Sequence, residues 1–414
     1  MKKTLIAFAA LSAIAGMAQA QSSVTLYGLV DANLTSLKTN VAVNATNGTP
    51  SINSPAVSVQ SVTQTKIDAG GLNGSRWGMR IREDLGGGMA AVANLESGIN
   101  LDTGASGQGG LLFGRRANVG LATGFGTVTI GRNSSSYDDV SSDHSMMGGS
   151  IFDVSNNNNG NSASSTTFTG TGVQGTPVPT VLGTTLAGNA AFLSKGSNQT
   201  TTWIGFNTRF NNSIKYISPN FAGFSGSAMY AFGEDKTPTV GASRTVSANL
   251  KYANGPLLVS GGYQTEGGTR TALGAKPALE NTLLSVAYDL GVAKIGAGFN
   301  RAKYKDVVLA GPTNSLGLAG SAIAAQKEVS LSVSVPLGAT TLSAGIAQSK
   351  GDTFGKSTGA GIQALYALSK RTTLYTGVAS SKTYDRLAAA TRALAPTSNI
   401  DRNTHYALGV RHTF

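Results

Sequence analysis

The feature that most constrains this chain is a hydropathy pattern of period two, cut at short intervals by turn-forming residues. In the last ten residues Tyr406, Leu408, Val410, His412 and Phe414 share one parity, and His405, Ala407, Gly409, Arg411 and Thr413 the other. Successive side chains leave a strand on opposite sides, so such alternation marks strands with two unlike faces. Residues Arg76 to Arg82 repeat the pattern: Trp77, Met79 and Ile81 share one face, and Arg76, Arg80 and Arg82 the other. A row of arginines beside Gly78 reads better as the lining of a wet lumen than as an open outer surface, although a soluble sandwich would also bury the apolar set.

The punctuation narrows the choice. Short connections recur at residues 84–88, 122–126, 218–220, 254–256, 289–291, 336–338 and 368–371, all rich in residues that supply positive or fixed φ. Longer polar stretches lie between them, at about 35–63, 101–110, 134–200, 234–241, 267–278, 306–324, 350–356 and 385–400. Seven short turns alternating with eight long loops predict about sixteen strands, with the first and last strands meeting. The expected fold is all-β, a sixteen-stranded antiparallel transmembrane barrel with short periplasmic turns, long external loops and an aqueous interior.

Export and composition agree with that layout. Met1-Lys2-Lys3, an apolar run from Leu5 to Ala15 and Ala18-Gln19-Ala20 form a secretory signal peptide, with cleavage expected after residue 20 and one barrel domain over 21–414. The apolar run is too short to span a bilayer, and no longer one follows. Charged residues make up only 13% of the chain, against about 25% in soluble domains, and the 54 glycines suit tight turns better than a soluble enzyme. With no cysteine there are no disulfides or thiolate metal sites, and no pattern calls for a cofactor or a metal. The net charge of +12 does not point to nucleic acid, because the basic residues are spaced as strand faces and not clustered with aromatics.

The longest loop divides in two. Its first part, from Tyr137 through Asp143, His144 and Met146-Met147-Gly148-Gly149, is acidic and partly apolar and is expected to fold inward. The remainder contains Asn156-Asn157-Asn158-Asn159 and a Ser/Thr/Gly-rich tract, expected to face the medium.

Several segments resemble the general porins of Gram-negative bacteria, particularly the β-proteobacterial and neisserial type. Ser23-Val24-Thr25-Leu26-Tyr27-Gly28 resembles the family's first strand, and Gly74 to Gly78 with Glu83 to Gly88 its second strand and turn. Phe113 to Leu121 and Phe125 to Arg132 resemble the next hairpin, Asn211 to Pro219 the strand after the inward loop, and Phe414 the terminal aromatic. The resemblance implies a homotrimer in the outer-membrane lipid, passive diffusion of small hydrophilic solutes, and a C-terminal signal at Phe414 read by the assembly machinery. It also implies that Arg115 and Arg209 point inward and that Arg132 sits at the root of the inward loop. One departure stands out: Met146-Met147-Gly148-Gly149 replaces a Pro-Glu-Phe-Gly-Gly-like segment of many relatives.

The expected constriction is therefore a basic ladder of Arg76, Arg115 and Arg209, with Arg80, Arg82 and Arg132 as further lumenal cations. Asp138, Asp139 and Asp143 are the candidates for an opposing acidic side. Arginine suits the role because it stays charged and presents a planar fork. Each arginine has a plainer reading, pairing with a carboxylate to stiffen the wall, and the aspartates can equally be solvated turn residues or cation ligands. Arg116, opposite in parity to Arg115, is expected at a lipid or trimer contact. The expected function is a diffusion channel with anion preference; a substrate-specific channel for anionic solutes is the alternative. A barrel enzyme would need a serine partner for His144, His405 or His412, and the sequence suggests none.

Overall fold

The computed structural model describes residues 22–44, 56–155, 180–181, 184–185, 202–238, 241–267, 278–305, 325–382, 384–385 and 400–414. The signal peptide and most of the Asn/Ser/Thr-rich tract lie outside them.

Seventeen strand segments form one sheet. They are β1 (Ser23–Asn44), β2 (Ala56–Ala69), β3 (Arg76–Gly86), β4 (Met89–Gly98), β5 (Arg116–Thr123), β6 (Gly126–Ser134), β7 (Arg209–Ile217), β8 (Phe224–Phe232) and β9 (Arg244–Asn254). The second half comprises β10 (Leu257–Gly267), β11 (Ala278–Asp289), β12 (Lys294–Lys305), β13 (Gln326–Leu337), β14 (Thr340–Gly351), β15 (Gly355–Ala367), β16 (Thr372–Lys382) and β17 (Ile400–Thr413). Every pairing is antiparallel. β2 and β3 run in the same direction along β1, β2 against Ala32–Asn44 and β3 against Ser23–Leu29, so they are one barrel strand broken at residues 70–75. Counted this way the barrel has sixteen strands. It closes where β1 meets β17, Leu29 opposite Thr413, with Gly28 and Phe414 exchanging backbone hydrogen bonds of 3.1 and 3.0 Å. Closure matters because hydrocarbon offers no partner to an unpaired backbone edge.

The turns follow their residues. Gly255 and Gly338 adopt φ of 55° and 64° between paired strands, a conformation that most L side chains disfavour. Two expected loops are shorter than the sequence suggested. Pairing of β1 with β2 continues to Asn44 and Ala56, so most of 35–63 is wall, and the 350–356 stretch reduces to a tight connection between β14 and β15. In both, polar composition was read as loop although β-branched and polar residues also suit a wall that rises above the membrane.

The outer face is apolar, with Leu26, Val119, Ile130, Leu331, Ile346 and Leu408 all exposed. The inner face is polar or small. Across it runs an inward segment, residues 135–155, whose backbone closes a chain of tight turns: Val140 N donates to Tyr137 O, Asp143 N to Val140 O, Gly148 N to Ser145 O and Asp153 N to Ser150 O. Residues 202–208 cross back over it. His144 stacks on Trp203 at 4.6 Å between ring centres, and Tyr137 meets Phe206 edge-on at 4.6 Å. With Val140, Met147, Phe152 and Val154 these aromatics form a buried apolar cluster inside the barrel.

Glycines on the wall mark where the segment lies. A Cβ on Gly298 would sit 2.6 Å from the His144 ring, one on Gly345 2.8 Å from the Met147 side chain, and one on Gly377 3.0 Å from the Phe152 ring. Wall and loop approach closely there because the wall carries no side chain. The far end is held at the break in the second strand. Asp31, fully buried, accepts the backbone N–H groups of Gly71 (3.1 Å), Leu72 (2.8 Å) and Asn73 (2.8 Å) and the Tyr375 hydroxyl. Gly71 O in turn accepts Ile151 N at 2.8 Å.

Candidate functional site

The charged part of the lumen is built on β1 and β3–β5. Tyr27 points inward from β1, Arg76 and Arg80 from β3, and Asn94 and Glu96 from β4; the register sets Gly78 opposite both Tyr27 and Glu96. Glu96 is the hub. Its Oε1 accepts Arg115 Nε at 2.7 Å, its Oε2 accepts the Tyr27 hydroxyl at 2.8 Å, and Arg76 Nε lies 3.8 Å from Oε2. Arg80 lies over the Tyr27 ring, 4.0 Å from its centre, a cation–π contact that holds the guanidinium flat against the wall. Arg209, at the start of β7, donates to the Thr208 hydroxyl at 2.9 Å and lies within electrostatic reach of Arg115, Glu96 and Asp138.

Two expected placements are corrected. Arg116 is lumenal, not at a lipid or trimer contact: it is directly opposite Glu96 in the β4–β5 register, and its Nη2 lies 3.4 Å from Ser134 Oγ. Arg115 also reaches Glu96 because it precedes β5, where strict alternation no longer holds. Arg132 is not lumenal. It lies opposite Ala117 with the parity of Val128 and Ile130, whose side chains are 43% and 52% exposed on the outer face. Its Nε donates to Gly114 O at 2.7 Å and its Nη1 to the Asn211 side chain, so it ties the roots of the inward segment together. Arg80 and Arg82 lie at lumenal parity and are exposed, bordering a recess of about 340 Å³ with Asn94, Arg116, Asn118 and Lys215.

The loop acids are engaged on the neighbouring wall. Asp139 pairs with Lys215 of β7 at 2.7 Å and accepts Ser227 Oγ at 2.9 Å; Asp143 pairs with Lys251 of β9 at 2.9 Å. Asp138 is half-buried, and desolvation raises its carboxyl above the usual range, opposed mainly by the Arg209 charge. Neither lysine was singled out from the sequence, although Lys215 and Lys251 alternate with the outward Tyr216 and Leu250 and are legible as inward positions.

Residues 202–208 were also missed. Trp203, Ile204 and Phe206 are apolar without strand parity, a signal of packing against something other than lipid. Buried wall carboxylates hold this return: Glu328 accepts Ile204 N at 2.6 Å, and Glu266 accepts the backbone N and side-chain Nδ2 of Asn207 at 2.9 and 2.6 Å. His144 does find a serine, its Nε2 lying 3.1 Å from Ser155 Oγ, but the acid serves the serine, Ser155 Oγ donating to Asp153 Oδ1 at 2.6 Å. Among the described residues the His144 Nδ1 has no hydrogen-bond partner, so they form no acid-to-histidine link of a hydrolytic triad there.

Comparison with known sequences places this geometry. The sequence profile described as Gram-negative porin matches residues 7–386. The chain belongs to the Gram-negative porin family. The porin is 29% identical over 318 residues to an outer membrane porin protein of Bordetella pertussis, covering 73% of this chain and 69% of the relative. It is 31% identical over 326 residues to outer membrane porin protein 32 of Delftia acidovorans, covering 78% and 76%. Among solved structures, an anion-selective porin from Comamonas acidovorans superposes with a TM-score of 0.64 at 25% identity, covering 95% of this chain and all of that one. This porin is accordingly an outer-membrane channel protein, and its named relatives are channels and not enzymes.

Proposed function

We propose that this porin conducts small hydrophilic solutes with a preference for anions, set by the cations of the β3–β5 wall. The observation that carries this reading is the imbalance of charge there. Arg76, Arg115, Arg116 and Arg209 gather around Glu96 and Asp138, while Asp139 and Asp143 are occupied by lysines. Two unit charges 4 Å apart interact by about 1 kcal/mol in bulk water and about 4 kcal/mol at an effective dielectric of 20; a narrow wet pore lies between. Attraction of that size draws an anion in without holding it. The basic ladder of Arg76, Arg115 and Arg209 is part of the proposal, extended by Arg116. The similarity to an anion-selective porin supports it.

The test is the reversal potential in a planar bilayer under a salt gradient. The wild type should favour anions, and R76S, R115S, R116S and R209S should each move the permeability ratio about threefold toward cations. Cation preference in the wild type overturns the reading. The recess beside Arg80, Arg82 and Arg116 supports a second one, a channel with a binding site for anionic solutes; saturable conductance with one such solute would favour it. The cleaved signal peptide over 1–20, the single barrel domain over 21–414, the homotrimer and the Phe414 assembly signal complete the proposal and rest on the sequence and its resemblance to the family.

A further inference from the structure

The last strand carries an arginine that the basic ladder leaves out. Arg411 of β17 has the parity of Asn403, His405 and Ala407, all buried on the lumenal side, and not that of Tyr406, Leu408 and Val410, which are exposed on the outer face. Pairing sets it opposite Asp31 of β1 on one side and Thr373 of β16 on the other. Arg411 therefore stands on the lumenal side of the closing seam.

Its contacts are to neutral groups. Nη1 donates to Asn73 Oδ1 at 2.7 Å, Nη2 lies 3.5 Å from the Thr373 hydroxyl, and among the described residues Nε has no hydrogen-bond partner. The carboxylates on this part of the wall are used elsewhere. Asp31 gives both oxygens to the N–H groups of residues 71–73 and to the Tyr375 hydroxyl, and Asp68 pairs with Lys66 at 2.7 Å. Among the described residues no carboxylate forms an ion pair with Arg411. Asp31 is fully buried whereas Arg411 is only half-buried, so the lumen meets the guanidinium there and not the carboxylate. An arginine keeps its charge even when partly desolvated, and a cation without a partner on a pore wall lowers the cost of an entering anion.

The inward bend at 70–75 joins this arginine to the ladder. Arg76 Nη1 donates to Gly74 O at 3.1 Å while Arg411 holds the preceding residue, Asn73, so arginines from the strands on either side of β1 grip one bend. Those strands are two spacings apart, about 10 Å. That is roughly one Debye length at about 0.1 M salt, so each charge acts on a passing solute nearly independently of the other. We propose that Arg411 is a further selectivity-determining residue, a station for small anions that extends the cationic wall from β3–β5 across the closing seam to β17. The inference rests on the anion preference proposed above.

The chain has no cysteine, so R411C places a single thiol at this position. The full chain, reconstituted in a planar bilayer under a salt gradient, is read by reversal potential before and after reaction with two small water-soluble thiol reagents, one bearing a quaternary ammonium and one a sulfonate. R411C should move the permeability ratio about twofold toward cations, the ammonium adduct should return it toward the wild type, and the sulfonate adduct should move it about twofold further toward cations. A quaternary ammonium has no N–H to offer Asn73, so recovery by it reports charge and not support of the bend. V410C, on the outer face, should respond to neither reagent. Equal ratios for R411C and both adducts overturn the proposal, as do equal shifts by the two reagents, or a thiol that mass spectrometry shows neither reagent to reach. Should R411C not fold, R411K and R411Q replace it: the lysine should keep the wild-type ratio and the glutamine shift it about twofold toward cations, and equal ratios overturn the proposal. Cation preference in the wild type is a separate outcome and overturns the anion reading itself.

Discussion

Across the lumen, β3–β5 carry Arg76, Arg116 and Glu96, with Arg115 just before β5, whereas β11–β16 present glycine and serine to the inward segment. The first wall keeps its long charged side chains because they gather on Glu96. The second gives up side chains so that Tyr137, His144, Met147, Phe152 and Trp203 can pack against backbone and one another. The difference teaches that the inward segment fills one side of the lumen with a small apolar core, and that the arginines of the proposed filter stand on the other side. An acid ladder on the loop facing a basic ladder on the wall is not what the side chains form: Asp139 and Asp143 are neutralised close to where the segment leaves the wall.

The comparison is broken most forcefully at Asp31. Asp31→Ala leaves three backbone N–H groups and a tyrosine hydroxyl without their acceptor, each lost buried bond costing about 1–3 kcal/mol. The expected result is release of the 70–75 break together with Ile151, read as faster proteolysis of the inward segment and larger, noisier single-channel currents. Unchanged conductance would mean that the segment is held from its other end.

Gly298→Val strikes the packed wall directly. Overpacking typically costs about 1–3 kcal/mol, here incurred where the new side chain meets the His144 ring. Conductance should rise while anion preference persists, because the arginine wall is untouched; loss of selectivity would show that the segment carries the filter.

Lys251→Met sharpens the electrostatic half of the contrast. It leaves Asp143 without its cation and should move selectivity toward cations by about twofold, less than removal of one wall arginine. A shift toward anions would contradict the placement of Asp143.

The smallest effect is set by pH. Burial holds the His144 imidazole below its ordinary value of 6.5, against the opposing pull of Asp153 and Asp143. A depressed pKa in the docked state means that the undocked histidine binds the proton more readily. The contribution to docking is complete above about pH 6.5 and is lost as the pH falls through the lower, docked value. Protease protection of the inward segment should therefore weaken on acidification, and His144→Gln should flatten that dependence. An identical acid response in the variant would assign it to other groups.

Strand faces, turn positions and the strand count were legible in the residues because each depends on a repeat or a local backbone preference. Arg76, Arg80 and Arg82 took their lumenal side from alternation with Trp77, Met79 and Ile81 alone. Parity failed at Arg116, because Arg115, its reference, stands outside β5 and turns back to Glu96. Arg132 took its expected side from the family resemblance, whereas its alternation with Val128 and Ile130 gives the outward side that the structure shows. Glu96, Lys215 and Lys251 carried the right parity, but nothing local named their partners, which lie 19, 76 and 108 residues away in the chain.

By itself the sequence determined that this chain forms a closed barrel with a wet interior and an apolar coat, because period two and turn chemistry act over a few residues. Only the tertiary structure decided which charges meet. Pairing across strands brings Glu96 beside Arg115 and sets Arg411 opposite Asp31, and the path of the inward segment gives its aspartates to lysines. Electrostatic energy depends on distances of a few ångströms between residues far apart in the chain, and closing the barrel is what sets those distances.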